Sequence, residues 1–572
     1  MLAIVLSVFI FLGYNFIAMQ MGWLPTPPDP ATQTAEQQTA APAASPSTSG
    51  DPAQSAAPAD PSGISTPAGD PSAITDMPAF VPTEGRLVTV ETPLYKAVFH
   101  SSGGILRSFE LKQYRTTLGD DSPLVNIVSN LAAGQAPMGL LMDGVPTWTG
   151  NAWALDGQDF VLDEQGFGTL SFSTEVNGIR VTRELLFSGA SYTVAEKLKL
   201  SSPTHKEANV AFTFGATTLA SEMSPGIFAR LRHALFGGEE PVATASQYNP
   251  TRVAWFQNGS FDEEGPGKDL TEGKLVQGKV SWMAVMNNYF MGAVSMADES
   301  ASAKGRFIGD VFHVLIGRTN VGILPGGEST LECAYFLGPK EAKRLADTPN
   351  NLDKALDYGF FSIVAKPLVW LLDFFNGYVH NYGVAIILMT VVIKILFWPL
   401  SQKSYKSMQQ MKQLQPMMQK LREKHAGDKE AMNREVMQLY KTYKVNPAGG
   451  CLPILVQLPV FFGLYQALLN AIELRHAPFV PTLPFTDITW LADLASADPL
   501  LITPLVMGAS MFLQQKMTPM PGDPTQAKVM MFMPVIFTVL FLGFPSGLVI
   551  YWLVNNIISI GQQWWQLRGK AA

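Results

Sequence analysis

Hydrophobic and polar positions divide the chain into stretches of sharply different pattern. Residues 2–19 (LAIVLSVFIFLGYNFIAM) form one apolar run with Asn15 as its main polar interruption, close to the roughly 20 residues that a bilayer-spanning helix needs. No basic stretch precedes the run and no small-x-small site follows it directly, which favours a retained anchor over residues 1–22 against a cleaved signal peptide. Over 23–80, Pro, Ala, Ser, Thr and Gly replace nearly all large apolar groups. Such a segment buries too little surface to offset its chain entropy and reads as a disordered tether.

From 81 to 340 the pattern becomes short alternation. Arg86-Leu87-Val88-Thr89-Val90 and Val194-Ala195-Glu196-Lys197-Leu198-Lys199-Leu200 are examples, punctuated by Ser102-Gly103-Gly104, Asn258-Gly259 and Pro325-Gly326-Gly327. Period two with frequent glycine breaks predicts a large antiparallel β-sandwich domain, with Ser224–Phe236 as one of few helical stretches. Over 341–377, Leu352, Leu356, Phe360, Phe361 and Val364 recur at helical spacing, and Lys366-Pro367 is expected to break the pattern. This connector reads either as an amphipathic helix in the membrane interface or as a packing helix of the β domain.

Residues 378–570 read as a membrane core of five spans, at 379–400, 450–471, 499–516, 529–545 and 547–565. Pro459 and Pro534 fall inside spans, where neighbouring helices must satisfy the freed backbone groups. Trp398, Trp552, Trp564 and Trp565 sit near span ends, as in aromatic belts. Between the first two spans, 403–446 predicts a helical hairpin. Tyr405, Met408, Met411, Leu414, Met418 and Leu421 make one stripe; Met432, Val436, Leu439 or Tyr440, and Tyr443 make another, with His425–Asp428 turning between them. Met-rich surfaces adapt to varied apolar partners. The fold class is therefore a multi-domain membrane protein: an N-terminal anchor, a large external β-sandwich, and a five-span α-helical core with a hairpin.

Charge orients this arrangement. The chain carries −7 overall, yet the hairpin holds ten basic residues against four acids, or +6. By the positive-inside rule the hairpin lies in the cytoplasm, and counting spans backward puts the β domain outside. The loop 473–498, with one arginine and four acids, falls outside as well. The net negative charge argues against direct nucleic-acid binding. Mean hydropathy of +0.13 fits a mixture of spans and polar domains. The two cysteines, Cys333 and Cys451, lie in very different segments and are not expected to pair.

Candidate chemistry is sparse. There is no GxxxxGK[ST], no GxGxxG after a strand, no HExxH, no GxSxG and no CxxC. No catalytic residue, metal site or cofactor is expected. The outstanding residue is Lys394, inside the first span and about four residues before the Trp398-Pro399 that is expected to end it. A cation there costs at least about 2.5 kcal/mol unless hydrated or paired. It either snorkels to the headgroups or sits in a water-filled cavity that receives acidic or polar groups. Gln457, Gln466, Asn470, Ser510, Gln514, Asn555, Asn556, Ser559 and Gln562 supply polar groups on other spans. Each of these also reads as ordinary helix–helix glue.

Lys444-Val445-Asn446-Pro447-Ala448-Gly449-Gly450-Cys451-Leu452-Pro453, followed by Gln457-Leu458-Pro459-Val460-Phe461, closely resembles the YidC family of membrane protein insertases. So do Gln515-Lys516-Met517 ahead of Phe532-Met533-Pro534, and Phe544-Pro545-Ser546-Gly547-Leu548-Val549-Ile550-Tyr551-Trp552. The resemblance covers 350–570 in order, and the anchor, tether and β domain match the Gram-negative form. It implies a bacterial inner-membrane protein with a periplasmic β domain and five core helices around a groove open to cytoplasm and lipid but closed toward the periplasm. With no catalytic motif in the chain, no enzyme activity is expected and no nucleotide is needed.

Lys394 stands where the family carries an arginine, keeping the charge but losing the bidentate fork. The family's substrate slide maps to Thr390 and Trp552, where a tyrosine is common at the latter position. Gln457, Gln466, Met507, Met511 and Asn555 are expected to line the groove. Lys412, Lys420, Arg422 and Lys424 on the hairpin are expected to contact a ribosome, a signal recognition particle or its receptor, or lipid headgroups. Newly made membrane proteins would be the clients and the Sec translocon a partner. Two rival readings stand beside this one. A small-solute transporter would show internal repeats and paired midplane charges, and none is evident. An envelope assembly factor would use its spans only as an anchor.

Overall fold

The computed structural model describes residues 79–81, 85–216, 223–224, 244–245, 249–296, 302–425, 428–443, 445, 452–518 and 524–568. The expected anchor and nearly all of the expected tether lie outside them, as does Cys451. So does most of the expected helix over Ser224–Phe236; its first residue, Ser224, belongs instead to a two-residue strand paired with Thr244–Ala245.

Strands run from Leu87 to Pro339. Three main sheets of nine, six and five strands are seen among the described residues, and their pairings are antiparallel except where Leu87–Glu91 meets Phe160–Val161 in parallel. Alternation decides the faces. In Leu87–Glu91, Val88 and Val90 are buried while Leu87 is exposed. The inward residues of all three sheets meet in one core that includes Phe99, Phe172, Phe212 and Trp282. Cys333 is buried on Glu328–Pro339 and is free.

In strand Thr193–Ser201 the inward positions Val194, Glu196, Leu198 and Leu200 are all buried, so a carboxylate lies in the core. Arg183 on the neighbouring strand Ile179–Ser188 answers it, with Nε 2.6 Å from Oε1 and Nη2 2.8 Å from Oε2 of Glu196. The same guanidinium donates to the carbonyls of Gly103 and Met138. Four of its five N–H donors are thereby used, and such additional hydrogen bonds are what let a buried ion pair be tolerated.

The long helices follow: α1 (Ser362–Val379), α2 (Tyr382–Lys424), α3 (Lys429–Thr442), α4 (Leu452–Asn470), α5 (Ile502–Met517), α6 (Pro524–Phe541) and α7 (Ser546–Arg568). Helix α1 packs on α2 and α4, α2 on α7, and α5 on both α6 and α7. Side chains from all these except α3 share one apolar core, including Leu372, Met389, Leu464, Met507, Phe541 and Tyr551.

Two expectations about breaks are corrected. The connector stripe is not one helix. Leu352–Ala355 and Gly359–Phe361 are separate 3-10 turns, and Leu352 and Ala355 are buried in the β-domain core. Beyond them α1 runs straight through Pro367. Its Ile363, Trp370, Phe374 and Tyr378 are exposed apolar groups, as is Phe360 in the turn before it. Likewise Trp398-Pro399 does not end the first core helix. Helix α2 continues through Pro399 and Pro416 for 43 residues, about 65 Å at 1.5 Å per residue, so the span and the first hairpin arm are one rod. A proline removes one backbone bond and crowds the preceding turn. That local loss does not end α2 at either proline.

At the α5–α6 contact a Cβ on Gly508 would lie 1.9 Å from Thr538 Oγ1 and 3.0 Å from Thr538 Cβ. Glycine to alanine inside a helix ordinarily stabilises by up to about 1 kcal/mol. Gly508→Ala is expected to do the opposite and lower the thermal midpoint by several degrees, because overpacking costs about 1–3 kcal/mol. Adding Thr538→Ala should restore it. A midpoint at or above wild type in the single variant would refute the close-contact reading.

Candidate functional site

Helical spacing sets one face of α2. Ile386, Met389, Thr390, Ile393 and Lys394 are buried, while Ile395 and Leu396 on the other side are exposed apolar groups. Thr390 is fully buried and donates Oγ1 to its own helix at Ile386 O, 2.6 Å away. One turn on, Lys394 is 8% exposed, and its Nζ lies 2.7 Å from Ser559 Oγ on α7.

That hydroxyl donates to Asn555 O at 2.8 Å, leaving its lone pairs for the ammonium. Asn555 Oδ1 accepts from Gln457 Nε2 on α4 at 2.8 Å. A polar thread therefore crosses three helices, from Lys394 through Ser559 and Asn555 to Gln457. Three turns beyond Lys394, Tyr405 lies beside Ser559 and Gln563, and Gln563 Nε2 bonds Thr518 Oγ1 on α5's C-terminal side at 3.3 Å. Asn555, Asn556, Ser559, Gln562 and Gln563 are all buried, so α7 turns a polar stripe into the bundle. Asn556 Nδ2 bonds Ser510 Oγ on α5 at 3.2 Å. Among the described residues no carboxylate pairs with Lys394; its partner is a neutral hydroxyl.

The other expected lining residues are placed differently. Gln466 bonds within α4, accepting from Asn470 Nδ2 at its backbone oxygen, 2.9 Å away. Met507 is fully buried in the helical core, and Met511 packs half-buried against it. Trp552 is half-buried in an aromatic box, with ring centroids 4.9 Å from Phe461, 6.0 Å from Phe537 and 5.3 Å from Phe541.

In the hairpin, Leu414 and Met418 are buried, and Tyr440 donates its hydroxyl to Met418 Sδ at 3.4 Å. The methionine stripe of α2 thus packs against α3. Tyr443, expected on the second stripe, is exposed, because α3 ends at Thr442. Lys412, Lys420 and Lys424 are exposed, Lys424 lying 3.4 Å from Glu435 across the hairpin. The side chain of Arg422 lies outside the described residues.

The aromatic box and the part of Gln563 were not anticipated from sequence. Gln563 falls four residues after Ser559 and seven after Asn556, so the helical period of the polar stripe marked it. No group of three or more His, Cys, Asp or Glu among the described residues is placed to hold a metal ion.

Residues 374–571 match the family model described as 60Kd inner membrane protein, and residues 87–371 match the YidC periplasmic domain. A membrane protein insertase YidC of Nitratidesulfovibrio vulgaris (strain DP4) is 53% identical over 569 residues, covering 99% of this chain and 98% of that protein. The protein of the same name from Oleidesulfovibrio alaskensis is 49% identical, covering 99% and 98%. That from Lawsonia intracellularis is 48% identical, with the same coverage.

Proposed function

Because the chain belongs to the YidC family of membrane protein insertases, we propose that its helical core moves apolar segments and short polar tails of client proteins into the bilayer along the face marked by Thr390, Lys394 and Trp552. The protein is an inner-membrane insertase with a periplasmic domain, and its clients are membrane proteins. In this reading α2, α4, α5, α6 and α7 span the membrane, with the hairpin and C-terminus in the cytoplasm and the β domain in the periplasm.

The observation that carries the mechanism is a buried ammonium held by a neutral hydroxyl, 2.7 Å away. An ammonium has three donors, so others remain for an incoming acidic or polar tail. The tail enters beside Lys394, whose charge offsets the cost of taking a carboxylate out of water. The apolar segment moves past Thr390, the half-buried Met511 and the aromatic box of Trp552 into lipid. Apolar transfer, at roughly 25 cal/mol per Å2, drives the step, and no nucleotide is consumed. Gln457 and Asn555 keep the polar path continuous across helices. The exposed Lys412, Lys420 and Lys424, together with Arg422, receive a ribosome, a signal recognition particle or its receptor, or anionic headgroups. The Sec translocon is a further partner in this reading.

Reconstitution tests it. Purified protein in liposomes should protect the tail of a short acidic-tailed single-span client from added protease, and empty liposomes should not. Protein-dependent leakage of small solutes without tail protection would favour a transporter instead.

A further inference from the structure

Between α4 and the loop that follows it, one short turn is shared by two hydrophobic cores. Ile472–Leu474 is a 3-10 turn. Ile472 is buried in the core of the β domain, whereas Ala471 and Leu474 on either side are buried in the core of the membrane helices. Arg475 extends the joint. Its Nη2 lies 2.7 Å from Arg115 O and 3.1 Å from Thr116 O at the end of strand Ile105–Arg115, and its guanidinium sits over the ring of Phe290 at 5.4 Å. The Tyr114 ring meets Phe290 edge-on, and its hydroxyl bonds Glu341.

The same loop is tied to the head of α7. Ser546 Oγ donates to Asp493 O at 3.1 Å and Gly547 N to Leu494 O at 3.0 Å, while the neighbouring Ala495 packs against the β-domain core. Between Ile472 and Leu474, one in each core, stands Glu473, which is half-buried. Asp373 on α1 and Glu341 at the end of the β domain face it with like charge, and Lys343 opposes them. The charge of Glu473 also acts on Tyr114, Tyr358 and Tyr382, and Arg475 and His476 follow it in the chain.

We propose that the Ile472–Arg475 turn is a proton-sensitive latch that positions the β domain on the outer end of the membrane core, closed when Glu473 is neutral and loosened when it ionises. Geometry supports the closed form: two cores, two carbonyls and an aromatic face converge on four consecutive residues. Burial, reinforced by Asp373 and Glu341, pushes the Glu473 carboxyl up from 4.5 to about 7. A raised acid in the docked state means that docking takes up a proton. The stabilisation is complete below about 4.5 and is lost as pH rises through about 7.

The test is hydrogen exchange, read by mass spectrometry on the full chain in lipid nanodiscs at pH 5 and pH 8 and normalised for intrinsic exchange. Amides of 114–117 and 472–476 should exchange about tenfold or more faster at pH 8 in the wild type. In Glu473→Gln they should stay slow at both pH values. In Arg475→Ala they should be fast at both, while strand Ile179–Ser188 stays protected and shows the β domain folded. If Arg475→Ala fails to fold, Arg475→Lys should still speed exchange at both pH values, since an ammonium lacks the planar fork. A wild-type pH response retained in Glu473→Gln, or full protection retained in the arginine variants, would overturn the latch. Client insertion is not the readout, so this outcome is independent of the groove mechanism.

Discussion

Lys394→Leu is expected to cut insertion of acidic-tailed clients by about tenfold or more, while clients with uncharged tails insert at near wild-type rates. An aspartate placed at the centre of a membrane helix costs about 2.5–3.5 kcal/mol, and every 1.4 kcal/mol is a factor of ten. A cation on the path offsets much of that cost, and a leucine of similar length offsets none. The position is suited to the role because Lys394 is buried and bonded to Ser559 Oγ at 2.7 Å, on the same face of α2 as Thr390. Lys394→Arg should retain insertion, because the charge is what the step needs. The measurement is protease protection of paired acidic and neutral tails in proteoliposomes. Equal insertion of both tails by Lys394→Leu would reduce Lys394 to a residue that merely reaches toward the headgroups.

The second large effect is in the β domain. Arg183→Met strands Glu196 in the core, and removing one member of a buried pair costs about 3–5 kcal/mol. For a domain of this size that corresponds to a fall of roughly 10 °C in the unfolding midpoint, at about 2–4 °C per kcal/mol. The double variant Arg183→Met/Glu196→Leu should recover only part of the loss. It removes the stranded charge but leaves the carbonyls of Gly103 and Met138, which the guanidinium serves, without that donor. Tryptophan fluorescence during thermal unfolding of the full chain would follow this. A single variant within about 1 kcal/mol of wild type would contradict the pairing.

Both predictions begin from residues that sequence marked unequally. Lys394 was legible, because a lysine within an apolar run is costly wherever the run folds. Its partner was not: Ser559 stood among several polar residues on other spans, and only the crossing of α2 and α7 selected it. Glu196 lay in plain view in an alternating strand, on the inward phase with Val194 and Leu198, yet Arg183 thirteen residues earlier carried no mark as its partner. Register across two strands made the pair. The methionine stripe of the hairpin was located correctly, but periodicity specifies a buried face without saying what covers it, and α3 covers part of it. The joint at Ile472–Arg475 was invisible, since a four-residue turn has no period and its partners lie about 360 residues away in the chain.

Local pattern along the chain set the order of the parts and their character. Period-two alternation made the β domain, helical apolar runs made the membrane core, and the segment carrying +6 made the hairpin. The family motifs from Lys444 to Trp552 carried the insertase identity. These are local properties, set by the backbone's two side-chain periods and by the cost of placing polar groups in lipid. The pairings came from packing: Lys394 with Ser559, Gln457 with Asn555, Arg183 with Glu196, and Arg475 with the carbonyls of Arg115 and Thr116. The fold also carries α2 through two prolines as a single rod. Such choices depend on which surfaces exclude water together, and that is a property of the packed molecule that no window of sequence contains.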